Sequence, residues 1–371
     1  MATSYKLLFL PGDGIGPEVT AEVEKVARAL SADGVIGFEI EHADIGGAGY
    51  DAHRDPYPDE TAYRVKEADA VMLGAVGGPK WVDVPFDKRP EQGLLDIRKD
   101  MNLYANLRPA FVFDQLIGAS SLKEHIIKGL DVMIVRELIG GVYFGQPRGI
   151  EDLGNGKKRG YNTATYSTDE VTRVAEVAFN IARARGKTLC SIDKANVLES
   201  MIVWRETVTS VGKKYPDVAL SHMYVDNAAM QLATKPAQFD VMLCPNLAGD
   251  ILSDLAAAMT GSLGMLPSAS LGDKQPNGLP YALYEPVHGS APDIAGQGKA
   301  NPLAAILSFE MLLRYSLGAH ATADALRTAV ADVLDSFRTP DIMEDGKIKV
   351  DTATMGDQVV ARMRKQLAKV A

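Results

Sequence analysis

Val241-Met242-Leu243-Cys244-Pro245-Asn246-Leu247-Ala248-Gly249-Asp250-Ile251-Leu252-Ser253-Asp254 opens with an apolar run, breaks at a proline and continues with two acids four positions apart. The opening reads as a buried strand and the run after Pro245 as a helix. Asp250 and Asp254 then share one helical face, where two like charges repel unless something cationic lies between them. An oxygen-only donor pair suits a hard divalent ion, Mg²⁺ or Mn²⁺, rather than zinc. On its own, such a pair is more commonly a solvated stripe. Here Ile251, Leu252, Leu255, Ala256, Ala257, Ala258 and Met259 are apolar. They predict a buried helix, in which paired carboxylates need a partner.

The same junction recurs upstream. Residues 132–135 run into Arg136, residues 188–192 into Asp193-Lys194-Ala195-Asn196, and residues 219–225 into Asp226-Asn227. Nearer the start, an apolar run at 6–10 leads through Pro11-Gly12-Asp13-Gly14-Ile15-Gly16-Pro17 into a helix at 18–30, with Pro17 suited to its first turn. A strand at 38–43, a helix at 60–67 and a strand at 70–74 follow. The alternation predicts an α/β protein with a largely parallel sheet. Such sheets place ligands at the carboxyl ends of their strands, so junctions carrying Arg, Lys, Asp and Asp read as one site. Residues 145–166 are Gly-rich and polar. Gly154-Asn155-Gly156 is a plausible turn there, so a β-hairpin arm reaching a partner subunit is favoured over a flexible loop. A second Gly/Pro-rich passage, 264–284, reads as a connection back to the first domain.

With 371 residues, 46% apolar and 23% charged, the chain fits a globular protein of two domains. It has no apolar stretch of membrane-spanning length, and the apolar run near its start is too short for a signal peptide. Cys190 and Cys244 lie far apart in apolar runs and read as core thiols of a cytoplasmic protein. A net charge of −9 without a basic run argues against nucleic acid.

Several motifs have a plain reading beside a functional one. Gly12-Asp13-Gly14-Ile15-Gly16 is spaced GxGxG, not GxGxxG, and only Asp44 offers itself as the expected acid, so a tight glycine turn beside a ligand is favoured over a Rossmann fingerprint. Arg98 and Arg108 alone would be surface residues. Arg136 ends an apolar strand, and several guanidiniums facing a metal would suit a di-anionic acid. Lys194 is equally a solvated helix-start lysine or a base of lowered pKa. Tyr143, flanked by glycines, is alone better read as a packed aromatic. The run from His288 to Gly296 is dense in small residues whose amides could face phosphate, with Asp293 able to accept from a ribose.

Together these passages resemble the metal-dependent, decarboxylating 2-hydroxyacid dehydrogenases, the family that includes isocitrate and isopropylmalate dehydrogenases. The resemblance runs in order through LPGDGIGPEV, GAVGGPKW, RPEQGLLDIRKDMNLYANLRPA, VRELIGGVYFG, DKANVLE, YVDNAAMQL, NLAGDILSDLAA, LPSASLG and EPVHGSAPDIAGQGKANP. It implies a two-domain α/β fold with non-Rossmann dinucleotide binding. Residues 1–103 and 264–371 would form a first domain carrying most of the dinucleotide site. Residues 104–263 would form a second, with the metal and substrate residues, the interface of a homodimer and the arm. By the same resemblance, Arg98, Arg108 and Arg136 hold substrate carboxylates, and Asp250 and Asp254 hold Mg²⁺ or Mn²⁺ with Asp226 of the neighbouring subunit. Lys194, also from the neighbour, helps deprotonate the substrate hydroxyl, and Tyr143 is the acid. Gly78, Glu91, Asn196, Glu285, His288, Gly289, Ser290, Ala291, Asp293 and Asn301 fall to the dinucleotide.

Substrate choice rests on Leu94 and Leu95, which offer an apolar wall to an isopropyl group and penalise a charge there. Cofactor choice rests on Asp293, whose carboxylate accepts from a free ribose hydroxyl and repels a 2′-phosphate, favouring NAD. The expected reaction is NAD-dependent oxidative decarboxylation of isopropylmalate in leucine biosynthesis. The competing readings are a relative acting on isocitrate, homoisocitrate, tartrate or D-malate, and a regulatory homologue without turnover. The latter is expected to lose acids, Lys194 or Tyr143, all of which are present.

Overall fold

The computed structural model describes residues 4–120, 122–259 and 261–370. The chain divides into two compact units, one of residues up to 103, 112–124 and 257 onward, the other of 104–111 and 125–256.

In the first unit the strands lie in the order Gly37–His42, Ser4–Gly12, Ala70–Ala75, Pro280–Pro286, Pro267–Lys274. All neighbours are parallel except the last pair. Every residue of Ala70–Ala75 is buried, as a continuous apolar run in a parallel sheet requires. The helix Gly16–Ala32, with Pro17 in its first turn, buries Val19, Val23, Val26 and Leu30 at helical spacing. The helix Leu303–Tyr315 is buried nearly all round.

The strand Pro267–Lys274 and most of Pro280–Pro286 lie within the passage read above as a connection. Pro267, Pro280 and Pro286 stand at strand ends, where a missing amide costs no ladder hydrogen bond. Ser268 and Ser270, which mask the alternation, are buried; the Ser268 hydroxyl donates to the Glu285 carbonyl at 2.8 Å. The prolines therefore bound two strands instead of excluding them.

In the second unit Ala105–Phe111 pairs antiparallel with Asp131–Glu137, followed by Val241–Cys244, Thr188–Asp193 and Ala219–Tyr224, all parallel. The helix Thr168–Ala184 starts on a capping box of Ser167 and Glu170. Gly149–Gly154 and Lys157–Tyr161 form a fully exposed antiparallel hairpin, with left-handed backbone at Gly154, Asn155 and Gly156.

The helix Asn246–Met259 departs from the expectation of burial. Leu252, Ser253, Ala256 and Ala257 face the core, whereas Leu247, Ile251, Asp254 and Ala258 lie outward. The helix is apolar on two faces, only one of which the chain itself covers. Among the described residues no helix is long and apolar enough to cross a membrane.

Candidate active site

Arg136 stands near the end of Asp131–Glu137 and is 2% exposed. Its Nε and Nη2 donate to Asn246 Oδ1 at 3.0 and 2.8 Å, and its Nη1 donates to Asp250 Oδ1. Asn246 is itself locked, its Nδ2 donating to the Leu138 and Gly140 carbonyls at 3.0 Å. Arg108, from the antiparallel strand, donates from Nε to Asn106 Oδ1 at 2.7 Å. Its Nη1 reaches Ser253 Oγ at 2.8 Å, Asp250 Oδ1 at 3.3 Å and Asp254 Oδ1 at 3.5 Å. The Tyr143 hydroxyl donates to Asp250 Oδ2 at 2.9 Å, with the Arg136 guanidinium 5.7 Å from its ring centre. The repulsion foreseen between Asp250 and Asp254 is thus met by two guanidiniums.

Burial, then the charge and hydrogen bond of Asp250, push the Tyr143 phenol up, so it stays protonated and able to donate. Desolvation raises the Asp254 carboxyl, with Asp250 adding and Arg108 opposing, although 63% of its side chain is exposed. Two carboxylates one helical turn apart, the outer one open to solvent, fit a hard divalent cation.

Lys194 and Asp226 form a separate pair on the same edge of this unit. Lys194 Nζ donates to Asp226 Oδ1 at 2.6 Å, and this bond holds the Asp226 carboxyl below its ordinary value. The preceding Asp193 is buried, accepts from Arg205 at 2.8 and 2.9 Å, and takes the Ala195 amide at 3.0 Å, which fixes the turn that aims Lys194. Asn196 is exposed in that turn. Among the described residues no three acidic, His or Cys side chains gather as a metal group, so within one chain Asp226 stands apart from Asp250 and Asp254.

In the first unit, Glu91, Leu94, Leu95 and Arg98 lie on the helix Pro90–Asp100. Glu91, Leu95, Gly78, Trp81, Val82 and Phe86 line a cavity of about 350 Å³. Arg98 donates from Nη2 to Glu285 at 2.7 Å, both buried, and its Nε has no partner. A buried guanidinium with a spare donor fits a carboxylate ligand.

The glycine turn is not an open phosphate cradle. A Cβ at Gly14 would fall 2.0 Å from the Ser290 carbonyl, and the Ile15 amide donates to that oxygen at 2.8 Å. The turn therefore backs the loop at 288–301. Asp13 is buried and accepts the Gly47, Ala48 and Gly77 amides, each at 2.8 Å, which ties Gly78 to the turn. In the loop, Gly289 and Asp293 are exposed and Ala291 is left-handed. His288 Nδ1 sits 2.9 Å from the Gly289 carbonyl, Nε2 is unpaired, and burial lowers its pKa, leaving a neutral ring with a spare nitrogen. Asn301 is more structural than expected: it donates to Asp341 at 3.0 Å and accepts the Leu303 amide at 3.0 Å, starting the helix Leu303–Tyr315. Asp13, Asn106, Glu137, Tyr166, Asn246 and Ser253 were not singled out for a role by their residue types, because each works by holding another group. The signal that could have flagged Glu137 and Asn246 is position, at or just beyond a strand's carboxyl end.

Residues 6–359 match the family model described as isocitrate/isopropylmalate dehydrogenase. The chain is 60% identical, over 98% of its length and 99% of the relative's, to a 3-isopropylmalate dehydrogenase of Rhodospirillum rubrum. It is 59% identical, over 97% and 98%, to that of Paramagnetospirillum magneticum. Among solved structures, isocitrate dehydrogenase from Methylococcus capsulatus superposes with a TM-score of 0.85 at 31% identity, covering 97% of this chain and 99% of that one. A β-decarboxylating dehydrogenase from Thermococcus kodakarensis gives 0.77 at 33%, covering 98% and 97%.

Proposed function

This chain belongs to the isocitrate/isopropylmalate dehydrogenase family, and from that premise we infer that it oxidises and decarboxylates 3-isopropylmalate in leucine biosynthesis. The substrate is (2R,3S)-3-isopropylmalate and the products are 4-methyl-2-oxopentanoate and CO₂. The observation that carries the chemistry is the cluster of Arg108, Arg136, Tyr143, Asp250 and Asp254, a protonated phenol and two guanidiniums gathered on a pair of carboxylates.

When bound, Mg²⁺ or Mn²⁺ supplies Lewis acidity at the substrate hydroxyl and at the enolate left by CO₂ loss, and NAD supplies the hydride acceptor. Asp250 and Asp254 would hold the cation, with Asp226 of the partner subunit. Arg108 and Arg136 would bind substrate carboxylate, as would Arg98 through its spare Nε. Lys194 of the partner subunit draws off the hydroxyl proton, and Tyr143 returns a proton to the enolate carbon from its phenol oxygen. Leu94 and Leu95 meet the isopropyl group. Gly78, Glu91, Asn196, Glu285, His288, Gly289, Ser290, Ala291, Asp293 and Asn301 serve NAD, with Asp293 on the ribose.

A homodimer is supported by the outward apolar residues of the second unit, Val197, Leu198, Ile202, Met230, Leu247 and Ile251, with Ile150 and Leu153 on the hairpin. The reduced, buried thiols of Cys190 and Cys244 support a cytoplasmic setting. The test is NAD reduction with 3-isopropylmalate and Mg²⁺: stoichiometric NADH, 4-methyl-2-oxopentanoate and CO₂ are expected. NADH without CO₂, or no NADH, would overturn the reaction.

A further inference from the structure

We propose that Glu137 is a positioning residue for catalysis, its carboxylate holding the turn that carries Tyr143 and, through Tyr166 and Asn246, the guanidinium of Arg136. The proposal rests on the roles given above to Tyr143 and Arg136.

Glu137 follows Arg136, so the two side chains leave opposite faces of the strand. It is fully buried, while the neighbouring Arg136 donates to Asn246 and Asp250. Glu137 Oε1 accepts the Ile139 amide at 3.0 Å and Oε2 the Gly140 amide at 2.9 Å. The Tyr166 hydroxyl is hydrogen-bonded to the same carboxylate and accepts the Asn246 amide at 2.8 Å. Asn246 returns to the turn through the Gly140 carbonyl and holds Arg136 through Oδ1. The turn Gly141–Tyr143 is thus suspended from a buried carboxylate and the half-buried Tyr166 phenol.

Two glycines permit the close approach. A Cβ at Gly140 would lie 3.0 Å from Glu137 Oε2 and 3.1 Å from the Tyr166 ring. At Gly141, where φ is +71°, it would lie 2.4 Å from the Tyr166 hydroxyl. The segment is shaped to rest on this pair.

The ionised carboxylate accepts two amides and a phenol. A protonated one must donate, so one of the three donors loses its acceptor and the turn loosens. Burial pushes the Glu137 carboxyl to about 7, the two amides opposing. The charged groups facing it are Glu170, which adds to the rise, and Arg173, which opposes it, both on the helix Thr168–Ala184; Tyr166 and Arg136 complete its surroundings. The switch therefore falls in the neutral range.

The test uses the full-length enzyme with Mg²⁺, NAD and 3-isopropylmalate. Glu137→Gln should lower kcat on the order of tenfold or more with the substrate KM moved less than about threefold, the pattern of a turn mis-set in the transition state. The wild type should lose kcat on the acid side with a midpoint near the Glu137 pKa, and the variant should lack that limb. The Ile139 and Gly140 amide resonances should titrate with the same midpoint, a readout independent of turnover. Should Glu137→Gln not fold, Tyr166→Phe keeps the two amide bonds and removes only the link to Asn246; kcat should still fall with KM held. A variant with unchanged kcat, or with the wild-type acid limb intact, overturns the proposal. Tyr143→Phe separates the two levels: full turnover there refutes the reading of the site and this proposal with it, whereas an inactive Tyr143→Phe beside a fully active Glu137→Gln refutes only the role of Glu137.

Discussion

Asp250 carries the charge balance of the second unit's cluster, since Arg136, Arg108 and Tyr143 all terminate on it. Asp250→Asn should abolish turnover while the chain still folds. The cost in stability should be about 1–2 kcal/mol, less than for a fully buried pair, because the Asp250 side chain keeps 31% exposure. Chelation should reversibly silence the wild type, and full activity after exhaustive chelation would remove the metal from the account. Asp293 is exposed in its loop, free to meet a ribose. A 2′-phosphate beside it should give NAD a preference on the order of a hundredfold over NADP. Asp293→Lys should relax or reverse the kcat/KM ratio, and an unmoved ratio would show that Asp293 does not meet the ribose. Glu137 also makes a stability prediction. Its folded pKa is raised, from 4.5 to about 7, so the native state holds the proton more tightly. That contribution is complete below the unfolded value and is lost as pH rises through the folded one, on the order of 3 kcal/mol across the interval. Thermal melts from pH 4.5 to 8 should therefore decline less steeply in Glu137→Gln than in the wild type.

At the scale of elements, the helix Asn246–Met259 is held close to its neighbouring strand by Gly249. A Cβ there would lie 2.8 Å from both Cβ and Cγ of Arg136. An interior Gly→Ala change in an uncrowded helix gains roughly 0.5–1 kcal/mol. Here the clash should win: Gly249→Ala should be destabilised and should lose kcat through a displaced Arg136, and a more stable, fully active variant would contradict the packing. Elements with a clean pattern were legible in the sequence. The strands expected at 241–244, 188–192 and 70–74 form as Val241–Cys244, Thr188–Asp193 and Ala70–Ala75. The strands at 267–274 and 280–286 were not, because buried serines and terminal prolines imitate a loop. The helix bearing Asp250 was legible as a helix but not in its exposure, since periodicity cannot say which of two apolar faces the same chain covers. Arg108, Arg136 and the two acids were foreseen together. Asn246 and Tyr166, which hold them, were not, because a positioning role depends on three-dimensional neighbours and leaves no mark in residue type.

For the molecule as a whole, the separation of Lys194 and Asp226 from Asp250 and Asp254 decides how many chains make a site. If Lys194 serves the neighbour's cluster, mixing inactive Lys194→Ala with inactive Tyr143→Phe after dissociation and reassociation should restore about one working site per heterodimer. No recovery despite proven subunit exchange would place both residues in the same chain's site. The central claim is that this architecture decarboxylates a malate bearing an apolar group, and the kcat/KM for NAD reduction with 3-isopropylmalate, measured beside isocitrate and D-malate under one Mg²⁺ concentration, tests it most directly. 3-Isopropylmalate should be preferred over isocitrate by on the order of a hundredfold or more, the penalty for a carboxylate against Leu94 and Leu95. An equal or reversed ratio would contradict it.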